Sequence, residues 1–144
     1  MLSNACTYGL RAMVYLAVHP APGYTPVREI AQALAISGPF LSKVFQQLVQ
    51  AGLVESHRGP SGGVRLAHPP KAVTLKQIVV AIDGPELFTE CVLGLPGCGH
   101  ARPCPVHEAW TVNRSELNLM FEASTLEAAA ASVRQKDRRL AGSG

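Results

Sequence analysis

Aromatic residues are scarce in this 144-residue chain: four phenylalanines, three tyrosines and one tryptophan, 6% in all. Its hydrophobic share of 47% therefore rests on small and aliphatic side chains, which suits a small helical protein built on alanine, leucine and valine. No apolar run reaches the ~18 residues needed to cross a bilayer. The opening Met1-Leu2-Ser3-Asn4 lacks the charged n-region of a secretory signal. No membrane partner is expected, and a reducing cytoplasm is the expected compartment. Also missing are a nucleophile elbow, a phosphate-binding glycine loop ahead of a lysine, and a convincing acidic pair, so no enzyme is expected. The chain is long enough for one modest core plus an appendage.

Cysteine is rare too, but unevenly placed. Three of the four fall in one stretch, Cys91, Cys98 and Cys104, with six and five residues between them and two more residues between Cys104 and His107. Pro96, Gly97, Gly99, Pro103 and Pro105 keep that stretch from being a regular helix or strand. Soft thiolates on a bendable loop, with an imidazole at its end, are a donor set for an iron–sulfur cluster or for zinc. Three thiolates and one imidazole form an ordinary closed zinc set, although tight two-residue cysteine pairs are absent. Without metal, two loop cysteines can act as a thiol switch. His100 is a lesser candidate for the fourth position. Cys6, the remaining cysteine, reads as a small buried helix residue.

Charge is divided as unevenly. Residues 1–85 carry seven Lys/Arg against three Asp/Glu, whereas residues 86–144 carry six against seven. A basic first part suits a polyanion. Leu10, Met13, Val14 and Ala17 give a helical stripe over Ala5 to Val18. Thr25 and Pro26 read as N-cap and first residue of a second helix, with Val27, Ile30, Ala31 and Leu34 on its apolar face. After a tight turn, Ser37 caps a third helix whose buried face is Leu41, Val44, Phe45 and Leu48. Two short amphipathic helices joined this way, the second polar outside, form a helix-turn-helix. Leu53–Arg58 and Val64–Ala67 then read as a hairpin around a glycine-rich tip, the wing of a winged helix. On the third helix, Lys43, Gln46 and Gln47 suit base edges, flanked by Phe40 and Ser42. Ser37 at the helix start, and Arg58 and Arg65 on the wing, suit phosphates or a narrow minor groove.

Thr74 and Gln77 form a capping box for a fourth helix stopped at Asp83-Gly84-Pro85. A longer helix is expected from Pro105, with Trp110, Leu117, Met120 and Phe121 as an exposed apolar seam for a second copy, interrupted by Asn113. Ser124 and Glu127 suggest a second capping box and a short last helix fading by Arg138. The fold expected is mainly α with a small β-wing: a winged helix-turn-helix head over 1–85, a cysteine-rich cluster loop over 86–104, and a dimerisation helix with a short terminal helix over 105–140. A small iron–sulfur carrier would use the same thiolates, but has no need of a basic winged head.

Taken together, Tyr8-Gly9-Leu10-Arg11-Ala12, Phe40-Leu41-Ser42-Lys43-Val44, Ala51-Gly52-Leu53-Val54, the wing Arg58-Gly59-Pro60-Ser61-Gly62-Gly63-Val64-Arg65-Leu66, Cys104-Pro105-Val106-His107 and Thr125-Leu126 resemble the Rrf2 family of bacterial transcription regulators. The resemblance spans nearly the whole chain. It implies a homodimer that binds palindromic promoter DNA and senses redox state, nitric oxide, iron or cluster status. It also implies a [2Fe–2S] or [4Fe–4S] cluster, the former favoured, with Cys91, Cys98, Cys104 and His107 as ligands. Some relatives carry a carboxylate where Thr7 stands here, which leaves His107 as the better fourth ligand. A glutamate used by some relatives for promoter discrimination is replaced by Ser42.

Overall fold

The computed structural model describes residues 2–142, so Met1, Ser143 and Gly144 lie outside the described residues. Seven helices and one hairpin follow in the order α1 (Asn4–Val18), α2 (Val27–Leu34), α3 (Gly38–Gln50), β1 (Val54–His57), β2 (Gly63–Leu66), α4 (Leu75–Asp83), α5 (Glu86–Thr89), α6 (His107–Ala123) and α7 (Leu126–Lys136). A single 3-10 turn, Pro70–Ala72, precedes α4.

Ser3 opens α1 by accepting the Cys6 N–H on its hydroxyl. The helix then lies at the centre of the core, with Ala12, Met13, Leu16 and Ala17 buried among Ile30, Leu34, Leu41, Val44 and Leu48. Helix α2 begins otherwise than its sequence implies. Pro26 occupies the N-cap and no side chain caps the helix. Thr25 is instead drawn into the wing, exchanging two backbone hydrogen bonds of 2.9 Å with Val64. Pairing Thr25 with the wing satisfies its backbone donor and acceptor together, which a side-chain cap would not do.

The turn into α3 starts at Ala35 in the left-handed region (φ 56°), and Ser37 caps α3 through the Phe40 N–H. Strands β1 and β2 pair antiparallel with Val54 opposite Leu66 and His57 opposite Gly63. Gly63 sits at φ +147°, and a Cβ there would collide with the Thr25 carbonyl. Only glycine lets the returning strand pass that close. The Thr74–Gln77 capping box of α4 is complete, with both reciprocal bonds made.

The C-terminal helices differ from expectation in three ways. Helix α6 starts at His107 rather than Pro105, because the His107 N–H closes a turn onto the Cys104 carbonyl. The cap of α7 is Thr125, accepting from the Ala128 N–H, while the Ser124 hydroxyl turns back to the Met120 carbonyl and finishes α6. The apolar stripe of α6 is also shared out. Phe121 is buried against Cys6, Val79 and Phe88, with Leu117 packed beside them, whereas Met120 faces outward together with Val112 and Leu119. Residues 107, 110, 114, 117 and 121 recur at alternating spacings of three and four and form the inward face; the outward apolar face lies on the other side. Asn113 donates to the Ala109 carbonyl of its own helix.

Helix α7 returns to the head. Leu126 and Ala130 are buried in the same core as α1, and Leu126 donates its N–H to the Val73 carbonyl. Arg134 closes the end of α1 by donating to the Ala17 carbonyl at 2.6 Å. Arg11, from the middle of α1, donates to the carbonyls of Leu34 and Leu140, tying the end of α2 to the chain beyond α7.

Candidate DNA-reading face and sulfur site

On α3, burial of Leu41, Val44, Phe45 and Leu48 turns the opposite side outward. Lys43, Gln46 and Gln50 are exposed there, with Ser42 half-buried at the margin. A groove between this face and the wing is lined by Ser42, Gln46, Gln50, Ser56 and Arg58. Neither Lys43 nor Arg58 forms an ion pair among the described residues. Both cations are thus available, Arg58 in the lining of the groove and Lys43 on the exposed side of α3. Phe40 stands at the start of α3, 38% exposed and edge-on to Tyr8 at 5.6 Å. The Ser37 hydroxyl is occupied as the helix cap.

Two other sequence candidates are engaged elsewhere. Gln47 directs its amide toward the Ile82 carbonyl of α4, 3.5 Å away. Arg65 pairs with Glu55 across the hairpin at 2.8 Å and lies over the Tyr24 ring, whose other neighbour is the stacked His57. Cation–π contact and ion pair together hold this guanidinium against the wing.

The sulfur site forms where the loop closes on the start of α6. The sulfurs of Cys91, Cys98 and Cys104 all lie within 4.8 Å of one another, the one such grouping of metal-competent side chains among the described residues. Within it, Cys91 and Cys104 are 3.6 Å apart; His107 lies outside the grouping of three but brings Nδ1 to 3.6 Å from Cys98. His107 is buried, and its Nε2 has no hydrogen-bond partner among the described residues. His100 is exposed and packs edge-on against the His107 ring at 5.3 Å, outside the sulfur grouping.

Hydrogen bonding from the backbone at Leu95 draws the Cys91 thiol down to about 7, with further help from Leu93 and the neighbouring thiols, against the opposing effect of burial. Burial pushes Cys104 upward. Cys91 is the thiol of the pair that ionises first, and a thiolate is the form that ligates metal.

Cys6 is fully buried, and burial followed by the Asp83 carboxylate pushes its thiol up to about 12. It is absent from the sulfur grouping. Iodoacetamide at pH 8 is therefore expected to leave Cys6 unmodified in the folded, metal-free protein while alkylating Cys91. Peptide mass spectrometry before and after denaturation checks this; modification of Cys6 at the rate of the loop thiols would contradict its burial.

Sequence reasoning missed the contacts that lead into the loop. The Glu90 carbonyl accepts from Trp110 Nε1 and from Arg114, and the Thr89 carbonyl accepts from Arg114 as well. The spacing of His107, Trp110 and Arg114 along one helical face is a signal for them, hidden when the stripe is read for apolar residues alone.

A helix-turn-helix with an exposed polar second helix, followed by a two-stranded wing, defines a DNA-binding transcription regulator of the winged type. The chain belongs to the Rrf2 family: the family profile described as "Iron-dependent Transcriptional regulator" matches residues 2–132. It is 31% identical over 125 residues to the HTH-type transcriptional regulator IscR of Aliivibrio salmonicida, covering 87% of this chain and 74% of that protein. Among solved structures it resembles CymR, titled the global cysteine regulator of B. subtilis, with a TM-score of 0.77 and 31% identity over 91% of this chain and 96% of that one. T. potens IscR shares the fold, with a TM-score of 0.76 and 24% identity over 96% and 92% of the two chains. These relatives are transcriptional regulators, a class distinct from enzymes. No helix among the described residues is long and apolar enough to cross a membrane.

Proposed function

We propose that the chain is a cytoplasmic homodimeric regulator that reads a palindromic operator and adjusts its grip through an iron–sulfur cluster in the loop. The convergence of the donors carries the reading: the three sulfurs lie within 4.8 Å of one another, Cys91 is 3.6 Å from Cys104, and Cys98 is 3.6 Å from Nδ1 of His107. Bonds of about 2.3 Å to sulfur and 2.1 Å to imidazole nitrogen put two ligands of one tetrahedral metal about 3.6–3.8 Å apart. Contacts of 3.6 Å thus suit two ligands of one metal ion, and a [2Fe–2S] centre is proposed over a [4Fe–4S] one from the family resemblance and the mixed thiolate–imidazole donor set. Nδ1 of buried His107, the ring nitrogen facing Cys98, would be its ligating atom. When bound, such a cluster supplies a centre that reacts to redox state, nitric oxide or iron supply.

On the DNA side, Lys43 and Gln46 read base edges, and Phe40, Ser42 and Gln47 flank them. Ser37, Arg58 and Arg65 contact the backbone. The exposure of Lys43 and Gln46 and the position of Arg58 across the groove support this assignment. The second copy docks on the outward face of α6, where Val112, Leu119 and Met120 are 60%, 64% and 52% exposed. Pairing there would present two heads to half-sites one helical turn apart, ~34 Å.

Zinc is the second reading, favoured by three sulfurs compact enough to surround one ion. Anaerobic purification followed by iron, sulfide and zinc assays separates the two. Brown protein with about two irons and two sulfides per chain is expected. Colourless protein with stoichiometric zinc overturns the cluster, and metal-free protein forming a reversible loop disulfide points to a thiol switch. A promoter-fragment gel shift on the same sample tests the DNA reading; without a specific shift, a small iron–sulfur carrier is the better account.

A further inference from the structure

From Cys91 to Val106 the chain has no regular element. Its backbone hydrogen bonds there are local turns: Gly94 to Cys91, Cys98 to Leu95, Arg102 to Gly99 and His107 to Cys104. Turns of this kind shape a loop without fixing where it stands. Position is set at its two ends. The loop leaves directly into α6 at His107, and it enters at Glu90.

The entry is gripped by α6 as well. Trp110 Nε1 donates to the Glu90 carbonyl at 2.9 Å, and Arg114 Nη1 donates to the carbonyls of Glu90 and Thr89, each at 3.1 Å. A carbonyl oxygen has two lone pairs, so that of Glu90 is filled by α6 alone. Helix α5 is a single turn, and its last carbonyls have no partner within it. His107, Trp110 and Arg114 share one face of α6. The face that carries the imidazole therefore also holds the peptide just before the first thiolate.

We propose that Trp110 and Arg114 are positioning residues of the sulfur site: by holding the Thr89 and Glu90 carbonyls they keep Cys91 in reach of the donors anchored at the start of α6. The proposal rests on the reading of the loop as a metal-binding site, whichever metal fills it, and concerns what arranges the donors before any metal arrives. Donors arranged in advance lose less freedom on binding. Groups that orient ligands from behind are worth roughly 10–100-fold in metal affinity.

The test compares wild type with Trp110→Phe, Arg114→Lys, Arg114→Gln and the double variant W110F/R114Q. Two readouts are followed: the rate at which a chelator bleaches the visible absorbance of protein purified anaerobically, and the titration of metal-free protein with cobalt(II), read from its thiolate charge-transfer band. The double variant is expected to bleach roughly tenfold faster and to bind cobalt roughly tenfold more weakly, with a changed band as Cys91 drifts from the set. Arg114→Lys, which keeps one charged donor, is expected to recover part of both effects. A purely structural role would lower the unfolding midpoint and leave the cobalt band in place, which would overturn the proposal. Wild-type bleaching and affinity in the double variant would overturn it equally, and Trp110→Phe alone serves if the double variant does not fold. Absence of iron and sulfide from the wild type sinks the cluster reading but not this one, which the cobalt titration then decides.

Discussion

Alanine at both Lys43 and Arg58 is expected to weaken operator binding by about a hundredfold or more, and the two changes should act differently. Lys43 projects from the exposed side of α3, where a good contact to a base edge is worth about 1–3 kcal/mol of discrimination. Its loss should relax the sequence preference at one position in each half-site. Arg58 stands at the wing tip, beyond the end of β1, and lines the groove facing α3. Its removal should weaken specific and non-specific DNA alike and make the dependence on salt shallower, by about one counterion for each phosphate left without its arginine. Fluorescence anisotropy on duplexes recovered by in-vitro selection, repeated across salt concentrations, separates these effects. Arg65→Ala is the informative comparison. That guanidinium is held by Glu55 and Tyr24, so its replacement should cost less. If Arg65→Ala outweighs the Arg58 change, the assignment of wing contacts is reversed.

The second large effect is expected at Leu126, which belongs neither to the groove lining nor to the sulfur grouping. Its side chain is completely buried in the head's core, and replacing a buried leucine by alanine typically costs about 2–5 kcal/mol. Against a total stability of about 5–15 kcal/mol for a domain of this kind, Leu126→Ala should lower the urea midpoint markedly and reduce DNA binding through unfolding of the head. Stopping the chain after Ala123 should do more, removing Leu126, Ala130 and the Arg134 cap of α1 together. Circular dichroism and urea titration of both variants check this. A truncated chain that unfolds at the wild-type midpoint would mean that α7 is only loosely attached.

Local signals in the sequence located most elements of the head. The apolar stripes of α2 and α3, the Ser37 cap, the Thr74–Gln77 box and the glycines of the wing are each set by neighbours a few residues away, so a local reading finds them. Thr25 failed as a cap because its true partner, Val64, lies far along the chain, and two backbone bonds outweigh one side-chain bond. The seam on α6 was misassigned for a related reason. Trp110, Leu117 and Phe121 look like a surface for another copy until α5, a single turn unmarked by periodicity, is seen to occupy it through Phe88 and Glu90. The donor set of the loop was legible as residue types. Which donors come nearest one another was not, because spacing along a proline- and glycine-rich segment does not dictate which sulfur meets which.

The packing of the last helix against the first bears on the order in which the molecule becomes competent. A protein leaves the ribosome amino end first, and α1, α2 and α3 emerge long before α7. Their shared interior remains open on one side until Leu126 and Ala130 arrive. By then the three loop thiols are already outside the tunnel and in contact with the cell's metals and oxidants. A newly made molecule therefore exposes its loop thiols to the surroundings before the core of its DNA-binding head is closed.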